Sequence, residues 1–243
     1  MPVSIAFPQW LRRSHPIVQR YLRQPSQPYF QLLVFLIALG VFLMLGGLSL
    51  PVLYFLFSLL ILIQIATSSA SKIYRERRDA TWDLMRLAPL SSRELLLSMW
   101  AASLWQLNRT WMMIVYRLLH AVMTIGVIIF NLVFTEFPTD HTLTILFSGT
   151  ILIVVQPFAE MYFSGMVGLA GANRLSDQSS TQGLVIAIVI VYWISYTAII
   201  FALLLVQQNQ PTTPQLLSIF VLPILLPLLL GGIAQCIAEA SMR

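Results

Sequence analysis

The chain has 243 residues, of which 58% are hydrophobic and 9% charged, with a formal net charge of +5. A water-soluble domain carries about 25% charged residues, so this balance, with a mean hydropathy of +0.82, excludes a soluble globular fold and leaves no length for a soluble catalytic domain. The basic excess reads as membrane topology and not as nucleic-acid binding, because cationic loops are retained on the cytoplasmic side.

The first 28 residues carry Arg and Pro but no long apolar run, so they do not read as a cleavable signal peptide. Within 9–24, Trp10, Leu11, Ile17, Val18, Tyr21 and Leu22 can share one side, with Arg12, Arg13, Arg20 and Arg23 largely on the other. Pro16 suits the first turn of a short helix over 17–24, since proline lacks the amide hydrogen that a helix interior uses. A basic amphipathic helix of this kind lies in the headgroup plane.

At ~20 apolar residues per span, six spans follow: 29–48, 52–70, a third ending near 134, then 143–166, 184–206 and 216–238. The first turn, Gly46-Gly47-Leu48-Ser49-Leu50-Pro51, is uncharged. The connection 136–141 has two acids and no base, and 207–214 is polar but uncharged. All 14 Lys and Arg then fall on one side, eight of them between Lys72 and Arg117. The expectation is an all-α membrane protein, one transmembrane domain over 1–243, in the plasma or inner membrane with both termini cytoplasmic. The stretch 95–117 stays open between a helix at the cytoplasmic surface and the cytoplasmic half of a long third span. An Arg near mid-bilayer costs ~2.5–3.5 kcal/mol, which weighs against Arg109 and Arg117 there. For the same topological reason the glycosylation sequon Asn108-Arg109-Thr110 is discounted.

A basic arm, 71–95, lies between spans two and three. It reads as a helix over 72–87, a break at Ala88-Pro89-Leu90, and a second helix from Ser92. Ser91 and Glu94 have the spacing of a capping box, in which each side chain satisfies the other's backbone amide. Trp82, Leu84, Met85 and Leu87 are the apolar contacts of the first helix; Glu76, Arg77, Arg78 and Asp79 form a mixed-charge rim. A loop that only fixes orientation needs no Trp-Asp-Leu-Met, so the arm reads as a docking element.

Residues 71–97 resemble the cytoplasmic segment of membrane subunits of ATP-binding-cassette exporters of the type-two export class. The matching residues are Glu76, Arg77, Thr81, Asp83, Leu84, Pro89, Leu90, Ser91 and Glu94. The stretch 170–182 is similar to the family's second cytoplasmic turn. Ala80 stands where Gly is usual, Ala88 replaces the Thr before Pro, and Ser98-Met99 stand where Gly-Lys is frequent. The resemblance implies a permease that pairs with itself or a similar chain, in contact with membrane lipid, and docks an ATPase subunit through Glu76, Arg77, Arg78, Thr81, Trp82, Asp83, Leu84 and Met85. No cofactor is expected in this chain. ATP and magnesium belong to the partner, because the sole lysine, Lys72, follows Thr67-Ser68-Ser69-Ala70-Ser71 and no Gly-x-x-x-x-Gly-Lys phosphate loop exists.

Glu160 is the one acid inside a span, four residues from Gln156. An intramembrane carboxyl is by default a functional hypothesis; a neutral carboxyl hydrogen-bonded between helices is the alternative. His120 reads as a packed histidine, with no second His placed to share a metal. Gly165, Gly168 and Gly171 read as a stripe for close helix approach. The lone Cys236 leaves no disulfide or thiolate cluster. Two other functions compete with the permease: a membrane anchor or sensor holding a cytoplasmic partner, and an intramembrane protease using Glu160 and His120. The protease lacks its motifs, since Ser148-Gly149 and Ser164-Gly165 have no preceding Gly-x and no paired-glutamate motif occurs.

Overall fold

A computed structural model describes residues 8–22, 28–46, 49–87, 90–134, 139–206 and 213–242. The expected turn residues Gly47 and Leu48, the break at Ala88-Pro89, the first half of the acidic connection (136–138) and the loop 207–212 lie outside them. A single 3-10 turn at Gln9–Leu11 precedes nine α-helices among the described residues. These are α1 (Pro16–Leu22), α2 (Pro28–Leu45), α3 (Ser49–Arg78), α4 (Trp82–Arg86), α5 (Ser92–Leu107), α6 (Trp111–Phe134), α7 (Thr139–Arg174), α8 (Gln178–Val206) and α9 (Thr213–Ala240).

Four helices are long and apolar enough to cross a membrane among the described residues: Ser49–Arg78, Gly149–Arg174, Gln178–Ile199 and Val221–Ala240. The apolar stretches Val34–Met44 and Trp111–Gly126, on the expected first and third spans, are shorter. Where six spans are expected, four reach this length and apolarity.

The boundaries differ from the sequence reading in two places. The helix of the second span does not stop near residue 70: α3 runs on to Arg78 as one helix of 30 residues, about 45 Å at 1.5 Å per residue. Charge at Lys72, Arg75, Glu76 and Arg77 does not end a helix; only the backbone does. It ends at Ala80, which takes φ +54, while the Thr81 amide bonds the Glu76 carbonyl at 2.9 Å and the Ala80 amide bonds that of Arg77 at 3.1 Å. That is a Schellman terminus. The helix expected over 72–87 is therefore two pieces, the end of α3 and the five-residue α4.

The stretch 95–117 is likewise two elements. The α5 helix stops at Leu107, a turn follows at 108–110, and α6 starts at Trp111, so α5 is not the first half of span three. The capping box that opens α5 forms as expected: Ser91 Oγ accepts from the Glu94 amide at 3.2 Å, and Glu94 Oε2 accepts from the Ser91 amide at 3.2 Å. Residues Leu95 to Ser103 are all buried, because α5 is wedged among α1, α3, α7 and α9. A helix buried all round shows no apolar stripe, which is why its sequence resembles a span.

At the centre, α7 packs against α3, α6, α8 and α9. A Cβ on Gly168 would lie 2.1 Å from the Ala66 carbonyl oxygen, and one on Gly165 would lie 2.2 Å from the Trp100 ring. The glycine stripe thus sets the closeness of α3 and α5 to α7. The Trp100 indole also donates to the Met161 carbonyl at 3.0 Å.

The N-terminal segment turns its apolar side onto the same chain. Val18, Tyr21 and Leu22 are buried, Trp10 packs its ring 5.9 Å from that of Trp100, and Trp105 donates to the Leu11 carbonyl at 2.9 Å. Burial of such side chains contributes about 1.5–3 kcal/mol each.

Candidate functional site

The end of α3 and the short α4 are fastened from within the chain by four sets of contacts. Glu76 is fully buried and accepts from Arg20 Nη2 at 2.8 Å, from the Tyr21 hydroxyl at 2.7 Å, and from the Thr81 hydroxyl. A buried carboxylate needs such donors to be tolerated at all. Burial and the Glu76 charge together push the Tyr21 phenol far above its ordinary range, so it stays a donor. Arg77 reaches the end of α7 and donates to the Ala172 carbonyl at 2.8 Å and the Asn173 carbonyl at 3.2 Å. A cation at these orphan carbonyls caps the helix and complements its dipole. The Tyr74 hydroxyl donates to the Leu175 carbonyl at 2.9 Å and meets the Thr181 hydroxyl. Arg86 donates to the Met242 carbonyl at the end of the chain.

The expected docking residues therefore divide. Glu76 and Arg77 are used internally. Thr81 closes the turn. Trp82 is only 9% exposed, with the Arg77 guanidinium 5.8 Å over its ring. The surface of the arm is instead Arg78, Asp79, Asp83, Leu84, Arg86 and Leu87, with Met85 half-buried. Leu84 and Leu87 stand 66% and 81% exposed. Beside them a cavity of about 340 Å³ is lined by Met85, Arg86, Leu87, Leu90, Leu95 and Met242, with Asp83 and Ser92 at its polar margin.

Compared with known proteins, the chain matches no family model, no curated protein and no solved structure.

Lys72 sits at the start of the arm. It is 3% exposed and donates to Ser103 Oγ at 2.7 Å, Ser68 Oγ at 3.0 Å and Gln106 Oε1 at 3.1 Å. Gln106 in turn donates to the Tyr21 carbonyl at 2.6 Å, and Arg109 to the Leu22 carbonyl at 3.2 Å. Thus α5 ties α1 to α3 through neutral and cationic donors. At the start of α8, Asp177 accepts from the Ser180 amide and the Ser179 hydroxyl, both at 2.7 Å. The Ser180 and Ser179 hydrogen bonds hold the Asp177 carboxyl well below the usual carboxylate range.

Glu160 lies in a different place, in the core between α3, α6, α7 and α8. It is 2% exposed, and its Oε1 accepts from Gln156 Nε2 at 3.1 Å. The same Gln156 nitrogen donates to the Tyr196 hydroxyl at 2.7 Å. His120 Nδ1 pairs with the Tyr54 hydroxyl at 3.2 Å. No group of three or more His, Cys, Asp and Glu able to hold a metal occurs among the described residues.

Sequence reasoning missed Arg20, Tyr21, Tyr74 and Arg86, whose partners are remote backbone or side-chain atoms. It also missed the tyrosines around Glu160, although a signal existed. Tyr116 and His120, Gln156 and Glu160, and Tyr192 and Tyr196 are each four residues apart. Such pairs share one helix face.

Proposed function

We propose that this chain is the permease subunit of an ATP-binding-cassette exporter, with six spans in α2, α3, α6, α7, α8 and α9. In this reading the N-terminal segment, the arm and both termini face the cytoplasm. Two such chains, or this chain and a similar one, form the pathway, and a separate ATPase subunit supplies ATP hydrolysis.

One observation carries the reading. The end of α3 is held by Glu76 and Arg77 to the N-terminal helix and the end of α7, and the five-residue α4 is tied to it through Thr81 and to the C-terminal end through Arg86, yet Leu84 and Leu87 are left uncovered. An element that only marks topology needs no such fastening. A coupling element does, because a push on α4 must reach α1, α7 and α9 together. The apolar anchor with charges of both signs around it, Arg78, Asp79, Asp83 and Arg86, suits a protein partner better than bare lipid. Interface energy concentrates in a few desolvated side chains, and the exposed ones are Leu84 and Leu87 rather than Trp82. Trp82 then acts by holding the arm in shape.

Leu84→Glu tests this directly. Docking should lose ~2 kcal/mol or more, about thirtyfold in affinity. ATP-driven transport in proteoliposomes should fall with it, while Ala202→Ser at the far end of α8 leaves both unchanged. Equal assembly and transport in the two variants would reduce the arm to a topogenic loop.

A further inference from the structure

The Glu160 cluster has a chemistry that neither packing nor ATPase docking uses. Glu160 is buried without a countercharge: among the described residues its carboxyl forms no ion pair, and the ion pairs present involve Arg20, Arg75 and Arg78 at the arm. Glu160 Oε1 accepts from Gln156, but Oε2 forms no hydrogen bond. A second polar atom, the Tyr192 hydroxyl, is also unpartnered although Tyr192 is only 7% exposed. Native interiors rarely leave such groups unsatisfied, and each that remains calls for a reason.

The surroundings are rich in acceptors and in aromatic faces. Two stacked tyrosine pairs, Tyr54 with Tyr116 at 6.4 Å and Tyr192 with Tyr196 at 5.6 Å, come from α3 and α6 on one hand and α8 on the other. Gln156 links the second pair to Glu160, bonding both the carboxyl and the Tyr196 hydroxyl. Pro157 lies inside α7 and has no amide hydrogen for the carbonyl four residues back. The Ile153 carbonyl thereby loses its helical donor. A carboxyl with an unpartnered oxygen, a carbonyl without its helical donor and tyrosine rings with no opposing Lys or Arg are what a cation needs: hydrogen-bond acceptors for its protons, and the negative ring faces that attract ammonium groups.

We propose that the Glu160 cluster binds the ammonium group of an organic amine. Glu160 carries the countercharge, Tyr116, Tyr192 and Tyr196 supply ring faces, and Gln156 holds the carboxyl in place. The binding claim stands by itself; that the bound amine is cargo rests on the permease reading.

The experiment is titration calorimetry on the purified full chain in detergent. The probes are choline, n-butylammonium, the uncharged choline isostere 3,3-dimethylbutan-1-ol, and potassium chloride. Saturable binding of at least one of the two amines, with none of the isostere and no competition from potassium, is the expected result. Glu160→Gln should weaken that binding at least tenfold, and Tyr192→Phe should keep the ring face and retain most of it. Circular dichroism checks that both variants fold; if Glu160→Gln does not, the isostere and potassium arms on the unaltered protein still decide. Absence of saturable binding by either amine overturns the proposal. So does equal binding of the isostere, potassium binding as tight as the amine, or a folded Glu160→Gln variant that binds as the parent does. No ATPase is present in this measurement, so its failure leaves the docking role of α4 standing, and failure of docking leaves this site standing.

Discussion

Ala80 holds a left-handed backbone at φ +54, a conformation that costs a residue with a Cβ roughly 1–2 kcal/mol. It is also the position where the resembled family usually has Gly. Ala80→Gly should therefore raise stability by about 1 kcal/mol without moving α4, read as an increase in thermal midpoint; a decrease would mean that the Schellman turn is not the ground state. Glu76 is the opposite case, a residue whose chemistry is fully used. Glu76→Gln keeps the shape but sets an amide against the Arg20, Tyr21 and Thr81 donors, and should cost ~1.5–3 kcal/mol, the scale of a hydrogen bond to a charged group. Trypsin should then cut faster at Arg20, and an unchanged cleavage rate would contradict the role given to Glu76. Sequence alone identifies Glu76 as an arm residue but places it on a solvated rim. Its true partners lie 55 and 56 residues away, and no local pattern reports a pairing of that separation.

At the scale of elements, the α3–α7 crossing depends on Gly168. A methyl there would meet the Ala66 carbonyl, a backbone atom that cannot step aside as a side chain can. Gly168→Ala should destabilise the protein by about 1–3 kcal/mol, measured by thermal unfolding in detergent. Gly183→Ala, where nothing lies within 4 Å, is the control; equal effects would remove the close crossing. The start of α8 is sensitive to pH instead. The Asp177 carboxyl is held below the usual range, so its contribution to the cap is complete above an ordinary carboxylate pKa of about 4. It is lost only as pH falls through the depressed value. Hydrogen exchange at the Ser180 amide should stay protected at about pH 4 and open only well below it, as pH falls through the depressed value, and loss of protection near neutral pH would rule the cap out.

The legible and illegible elements separate on physical grounds. The capping box at Ser91 and Glu94 and the proline at the start of α1 are local signals and read correctly. The end of α3 is not legible in the sequence, because charged residues inside a helix carry no stop signal while the actual stop is an Ala in a glycine's conformation. The α5 helix was ambiguous because burial on all sides erases the periodicity that distinguishes a surface helix from a span. In the candidate site, sequence reasoning weights Trp82 as an anchor by its type, whereas the structure leaves it only 9% exposed. Whether a large apolar residue faces in or out of a five-residue helix depends on what Arg77 and the end of α7 do.

For the whole molecule, the permease proposed above has its N-terminal segment, arm and α7–α8 turn on the cytoplasmic side. In a Cys236→Ser background, Thr139→Cys should react with an impermeant maleimide in intact cells, and Ser176→Cys only after the membrane is opened. The reverse pattern would invert the topology. The central claim, that the exposed face of α4 meets an ATPase, is tested most directly by a photocrosslinking amino acid placed at Leu84 in living cells. Crosslinked adducts identified by mass spectrometry should contain an ATP-binding-cassette ATPase, while the same probe at Ala202 should give none. A Leu84 probe that captures only lipid or a protein without a phosphate-binding loop, or an Ala202 probe that captures the ATPase equally well, would contradict the account.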